Sequence, residues 1–203
     1  MYGNANDTDE TLILNQDWSV NYWIENGCPP EKIVLGLPAY GRSFKLRDSK
    51  SNGIFSKTIS NHGIGGNFTQ TLGHLSFFEI CQIKKEPNWN KIWLPKSKAH
   101  YMYNKDDWVS YDDLQSFRLK TAYIVAKKLG GVFIWSIDMD DFTGKFCGLG
   151  SFPLIKNRYV FPLLYKVKEC KINDCILLFY PVFFPIGTTH FFYILFFFPD
   201  WYH

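Results

Sequence analysis

The sequence lacks a strong excess of charge of either sign: 22 Lys and Arg against 19 Asp and Glu leave a net charge of +3, with the basic residues scattered rather than lined along one face. That pattern excludes the electrostatic footprint of a nucleic-acid binder. The chain also lacks the length of a whole α/β barrel, which takes ~250 residues, although 203 residues suffice for an ordinary domain with a sizeable core. Its first seven residues, MYGNAND, carry neither the basic nor the apolar segment of a secretory signal. The five cysteines lack the paired spacing of a metal site, and neither a metal nor any other cofactor is expected. Those cysteines and two sequons, at Asn6 and Asn67, point instead to a secreted protein. An extracellular ancestry with a front end outside these residues reconciles the two cues.

Aromatic residues are abundant, at 19%, and much of the excess follows Asp174. Before that point the order of elements is regular. Asn15 or Asp17 can cap a helix from Trp18 to Asn26 with Val20, Trp23 and Ile24 on one side, and Gly27 stops it. A short connector from Cys28 leads to a continuous apolar strand, Ile33 to Leu37, ended by Pro38. Beyond it stand Tyr40 and Arg42, a phenol and a guanidinium just past a strand's C-terminal end. From Lys45 to Asn104 glycine-rich turns, a helix candidate at Leu75–Cys81 and polar segments make a stretch too long for a plain loop. It reads as a small α+β insertion. A strand at Trp108–Tyr111 follows, then a helix capped by Asp112 or Asp113, with Leu114, Phe117, Ile124, Val125 and Leu129 at roughly helical spacing and Gly130 as its exit. A second buried strand, Gly130 to Ser136, closes the series and ends among Asp138, Asp140 and Asp141.

The blocks IVLGLPAYGRSF at 33–44, FEIC at 78–81, WVSYDD at 108–113 and GGVFIWSIDMDDFTGKFC at 130–147, in this order, resemble the C-terminal third of a family 18 glycoside hydrolase of the animal chitinase and chitinase-like lectin type. The resemblance covers roughly residues 1 to 162. It implies an α/β fold: the last two strands of an incomplete TIM (β/α)8 barrel, with a small α+β insertion domain between them. The implied division is a barrel segment at 1–44, the insertion at 45–105, a second barrel segment with the C-terminal helix at 106–165, and a tail at 166–203 outside the family pattern.

Members of that family cleave β-1,4-linked N-acetylglucosamine polymers, with the substrate's own acetamido group in place of an enzyme nucleophile. Their catalytic glutamate ends an Asp-x-x-Asp-x-Asp-x-Glu run on the fourth strand. No such run occurs in these 203 residues, so no catalytic residue is assigned, and hydrolysis by this chain alone is not expected. What the resemblance does imply is a partner, chitin or a chito-oligosaccharide, and a sugar-contacting set. Trp135 floors the subsite of the reacting sugar, because an indole face stacks on a sugar's C–H face; a core tryptophan is the plain alternative. Tyr40 and Arg42 supply donors beside the cleft, against a surface ion pair for Arg42. Glu79 accepts from sugar hydroxyls or lies on a solvated helix face. Asp138, Asp140 and Asp141 anchor the loop after the strand. The resemblance also pairs Cys81 with Cys147, leaving Cys28 as an unpaired thiol.

The tail carries no charge between Asp174 and Asp200. Its 175–198 stretch is long enough to span a bilayer of ~30 Å, but Pro181, Pro185 and Gly187 interrupt it. It is therefore either a membrane anchor, the one route to a membrane partner, or translated non-coding sequence with no place on the core. The second is preferred. Three functions follow as expectations: a portion of a chitinase inactive alone and poorly stable, a chito-oligosaccharide lectin, and a membrane-tethered piece with no sugar role.

Overall fold

The computed structural model describes residues 1–2, 13–60, 62–157 and 159–160, with the backbone of 176–178. Asn6, Cys170, Cys175 and the tail apart from 176–178 lie outside them, and with them the anchor expectation. No helix among the described residues is long and apolar enough to cross a membrane.

The chain alternates between two sheets. Helix α1 (Gln16–Glu25) starts where the Asn15 side chain accepts from the Trp18 backbone N–H at 2.9 Å, satisfying one of the donors a helix start leaves free. Strand β1 (Ile33–Pro38) follows a 3-10 turn and is buried at every position. It pairs in parallel with β8 (Gly131–Trp135), Val34 opposite Gly131 and Pro38 opposite Trp135. Helix α3 (Leu114–Ala126) runs between the two sheets in sequence, its start capped by Asp113 through the N–H groups of Gln115 and Ser116. Val20 of α1, Phe117 and Ile124 of α3, and Ile33, Leu35, Leu37 and Val132 form one core. This is the α/β half of the molecule.

The second sheet is antiparallel and six-stranded: β3 (Thr58–Ser60), β2 (Tyr40–Leu46), β7 (Asp107–Tyr111), β6 (Ala99–Asn104) and β5 (Asn90–Leu94) in that order, with β4 (His74–Ser76) also on β2. Helix α2 (Phe77–Ile83) contributes Ile80 to a core with Leu75, Met102, Val109 and Tyr111 on one face, while Phe44, Leu46, Tyr101 and Trp108 cluster separately. Gly41 lets α2 sit this close, since a Cβ there would lie 2.7 Å from Ile80 Cδ1 and 2.6 Å from the Ser110 carbonyl.

Several expectations change. Residues 40–44 and Asp107–Tyr111, both assigned to barrel segments, hydrogen-bond to each other within the antiparallel sheet, so that sheet runs from Tyr40 to Tyr111. Sequence periodicity cannot show which partner a strand takes. Strand β8 is buried only at its start; Phe133 and Ile134 are half-buried, because among the described residues β8 pairs with β1 alone. Val125 is 61% exposed rather than in the core. Gly130 does not end α3, which stops at Ala126 with Lys128 taking the left-handed turn at φ 57°. The glycine is required instead by close approach, since a Cβ there would meet the Glu31 carbonyl at 2.2 Å. Finally, the backbone of β9 (Ile176–Leu178) pairs in parallel with the other edge of β1, so that part of the tail does join the sheet. An unpaired strand edge presents a row of donors and acceptors that any extended segment can satisfy.

Candidate functional site

The two sheets meet at the C-terminal ends of β1 and β8. The Trp135 carbonyl accepts from the Ala39 N–H at 2.8 Å, and the Ala39 carbonyl accepts from the Phe77 N–H at 3.0 Å. This row of bonds fixes the last residue of β8, the bend after β1 and the start of α2 against one another. Trp135 stands at that junction 44% exposed, so the core-tryptophan alternative is excluded. The Trp135–Ser136 peptide is cis.

Tyr40 and Arg42 follow two residues apart on β2 and so share a face of its sheet. Opposite them on β4 lie Ser76 and His74: Tyr40 pairs with Ser76 and Arg42 with His74. The Tyr40 ring takes His74 edge-on at 4.7 Å between centroids, and the Arg42 guanidinium lies 5.6 Å from that ring. Burial pushes the Tyr40 phenol up to about 12, with Arg42 acting against it. The phenol therefore keeps its proton and can donate. Arg42 Nε is buried with no hydrogen-bond partner among the described residues, and no described carboxylate pairs with Arg42. An N–H left unsatisfied in a half-buried pocket is costly unless a ligand or water accepts from it.

Glu79 is placed differently from both expectations. It is buried, and its two oxygens accept from five donors: the N–H groups of Phe68 (2.7 Å), Thr69 (3.0 Å) and Ser76 (2.8 Å) and the hydroxyls of Thr69 (3.0 Å) and Ser76 (2.9 Å). With Ser76 it forms a capping box at the start of α2. Burial alone would raise its carboxyl, but the bonds from Thr69, Ser76 and Phe68 outweigh that and hold it below the usual carboxylate range. Its oxygens are spent on the protein, so it positions the 66–69 loop. Gly66 must be glycine for this, because a Cβ would fall 2.0 Å from Glu79 Oε1. Replacing Gly66 by alanine is expected to lower stability by about 1–3 kcal/mol, the usual range for forcing atoms into packed space, read from the urea unfolding midpoint.

The carboxylates after β8 anchor their loop. Asp140, fully buried, accepts from the N–H groups of Asp141, Leu154 and Ile155 at 2.8, 3.0 and 3.1 Å. Asp141 accepts from the Thr143 hydroxyl and from the N–H groups of Gly144, Phe146 and Cys147. Asp138 is exposed and accepts from the Ser136 hydroxyl. The Cys81–Cys147 disulfide is formed, across a separation of 66 residues. Around it Phe78 packs on Phe68, Phe142 and Phe146 with centroids 4.9 to 5.9 Å apart, and Lys85 donates to the Phe146 carbonyl. Cys28 is an unpaired, buried thiol pushed up by burial. Asn67 lies exposed beside Phe68. Among the described residues no group of His, Cys, Asp and Glu could hold a metal ion.

The arrangement can present an indole face, a phenol and an unsatisfied guanidinium N–H to a polar ligand with apolar faces. The buried carboxylates of Glu79, Asp140 and Asp141 are already engaged by donors of the protein. Sequence reading missed His74, since a three-residue strand leaves no periodic signal.

A model of glycosyl hydrolases family 18 matches residues 1–140. Probable chitinase 10 of Drosophila melanogaster is 37% identical over 169 residues, 83% of this chain and 7% of that protein. Chitotriosidase-1 of Mus musculus is 36% identical over 156 residues, 77% of this chain and 32% of that one. Among solved structures, human YKL-39, described as a pseudo-chitinase with retained chitooligosaccharide binding properties, superposes with a TM-score of 0.73 at 36% identity, covering 81% of this chain and 43% of that chain. A mutant catalytic domain 2 of Ostrinia furnacalis Group II chitinase, in complex with penta-N-acetylchitooctaose, gives 0.73 at 38% identity, covering 81% and 42%. This chain thus spans less than half the length of each.

Proposed function

We propose, because this chain belongs to the glycosyl hydrolases of family 18, that its residues form the sugar-binding floor of a protein that handles chitin or chito-oligosaccharides. In this reading β1 and β8 are the last two strands of a (β/α)8 barrel, and the sheet from Tyr40 to Tyr111 is an α+β insertion between them. Trp135 stacks on one N-acetylglucosamine unit, and Tyr40 and Arg42 donate to its oxygens. Glu79 acts one step removed, by holding the loop and helix start behind them. The observation that carries the reading is the exposed indole of Trp135 beside a buried Arg42 Nε that has no acceptor among the described residues.

Hydrolysis is assigned to a catalytic acid that these residues do not contain. Every buried carboxylate near the site already accepts from the protein, and no Asp-x-x-Asp-x-Asp-x-Glu run is present. Binding without hydrolysis is the activity proposed for the chain by itself, in keeping with the lectin-like alternative. An extracellular setting is part of the proposal, supported by the Cys81–Cys147 disulfide and the exposed sequon at Asn67.

The test is retention on chitin beads together with release of fluorophore from a chitobioside. The chain is expected to be retained and to release nothing. Trp135→Ala should weaken retention by ten- to a hundredfold, the equivalent of the ~1.5–3 kcal/mol that burying a large apolar side chain provides. Equal retention of the variant would sink the reading. Turnover abolished by changing one of the carboxylates here would show that the acid has been misassigned.

A further inference from the structure

Among the described residues, His74 is a polar side chain of the junction that neither the sequence pattern nor the loop-anchoring network accounts for. Its place follows from sheet register. In an antiparallel pair, directly opposed residues point to the same face, so His74 shares the face of Arg42, and Tyr40 and Ser76 lie on that face one step nearer Trp135. The imidazole packs edge-on against Tyr40 at 4.7 Å. It is only half-buried, and neither ring nitrogen is hydrogen-bonded among the described residues or sealed in the core. Its main chain, by contrast, is fixed: the N–H donates to the Thr71 carbonyl at 3.2 Å and the carbonyl accepts from the Thr69 hydroxyl at 3.3 Å. A held backbone with two unspent ring nitrogens is a preorganised hydrogen-bonding group.

The charges facing it come from three elements: Arg42 on β2, Glu79 on α2 and Asp138 in the turn directly after β8. Asp138 follows Trp135 by three residues. Burial first, and Arg42 second, hold the imidazole below the usual histidine range, with Glu79 and Asp138 acting the other way. The neutral ring offers one donor and one acceptor, whereas the protonated ring would offer two donors beside a guanidinium.

We propose that His74 is a specificity residue of this surface, hydrogen-bonding the hydroxyl or acetamido groups of an N-acetylhexosamine unit seated on Trp135. The proposal rests on the sugar-binding reading above. It adds a ligand-contacting residue from β4, where that reading used only β2 and β8.

The experiment is calorimetric titration of tetra-N-acetylchitotetraose into the full 203-residue chain and into its His74→Phe, His74→Gln and Trp135→Ala variants, each matched in thermal melting. His74→Phe keeps a ring against Tyr40 and loses both nitrogens. It is expected to bind about tenfold more weakly, the loss of roughly one hydrogen bond, while His74→Gln recovers most of the affinity. The unaltered chain should also lose affinity on acidification past the histidine's titration, with His74→Phe flat over the same range. Equal affinity of His74→Phe and the unaltered chain, or the same pH slope in both, overturns this inference. In that case loss of binding in Trp135→Ala leaves the sugar-binding reading standing. No binding by the unaltered chain overturns both.

Discussion

Replacing Cys147 by serine is expected to lower the free energy of unfolding by about 4 kcal/mol, the chain-entropy value for opening a closed loop of this length. The loop spans 66 residues and contains the end of α2 and the whole of β5, β6, β7, α3 and β8. Cutting it frees the unfolded chain more than it disturbs the folded one, because Phe78, Phe142 and Phe146 still pack around the site of the bond. One further contact remains across the same gap, the Lys85 ammonium on the Phe146 carbonyl. The measurement is a urea titration of the oxidised chain, the reduced chain and the variant. The reduced chain and the variant should unfold together, well below the oxidised one. Coincidence of all three curves would mean that the aromatic cluster and Lys85 fasten the insertion without the bond.

Glu79→Gln is expected to cost about 2–4 kcal/mol near neutral pH, because several buried donors then face an amide that can satisfy only some of them. The loss should depend on pH in a definite direction. In the folded chain the carboxyl is held below its ordinary value of 4.5, so the folded state binds that proton less readily than the unfolded one. The stabilisation is therefore complete above about pH 4.5 and disappears as the pH falls through the lowered folded value. Asp140 works the other way: burial raises its carboxyl despite bonds from Ile155, Asp141 and Leu154, so acidification relieves a buried charge there. The difference between wild type and Glu79→Gln at each pH removes the Asp140 contribution. That difference should shrink towards zero in acid. A constant difference from pH 7 to pH 3 would contradict the role given to the carboxylate.

Reading the sequence succeeded where a property is local or belongs to the family pattern. The pairs Asn15/Asp17 and Asp112/Asp113 announce their helices because a short polar side chain ahead of an apolar stretch can accept from the first free N–H groups, and the structure selects Asn15 and Asp113. The apolar run of β1 announces burial on every side, and all six residues are buried. The exposure of Trp135 at the end of β8 was legible, since a strand that surfaces among carboxylates leaves its last large side chain in the open. The disulfide was legible only through the family resemblance. Nothing in the spacing of five cysteines selects Cys81 and Cys147.

What failed depended on contacts between distant stretches. Glu79 reads as a sugar acceptor or a helix-face acid, yet donors 10 and 11 residues earlier, brought back by the turn at 67–69, engage it. Residues 40–44 and 107–111 fall in two separate barrel segments on the sequence reading, whereas β2 and β7 pair in one antiparallel sheet, with Lys45 and Asp107 partners 62 residues apart. His74 carries no signal at all until β4 is laid against β2.

By itself, then, the sequence determined the family, the helix starts, the two parallel core strands and the exposed indole, because capping chemistry and apolar runs act within a few residues of one another. Only the tertiary structure decided which polar side chains are spent and which are free. Glu79, Asp140 and Asp141 are consumed by backbone N–H groups, whereas Arg42 Nε and the His74 ring are left with unused hydrogen-bonding capacity beside Trp135. The reason is physical: hydrogen-bond satisfaction is settled by what the fold brings within 3 Å, and a one-dimensional pattern holds no record of that.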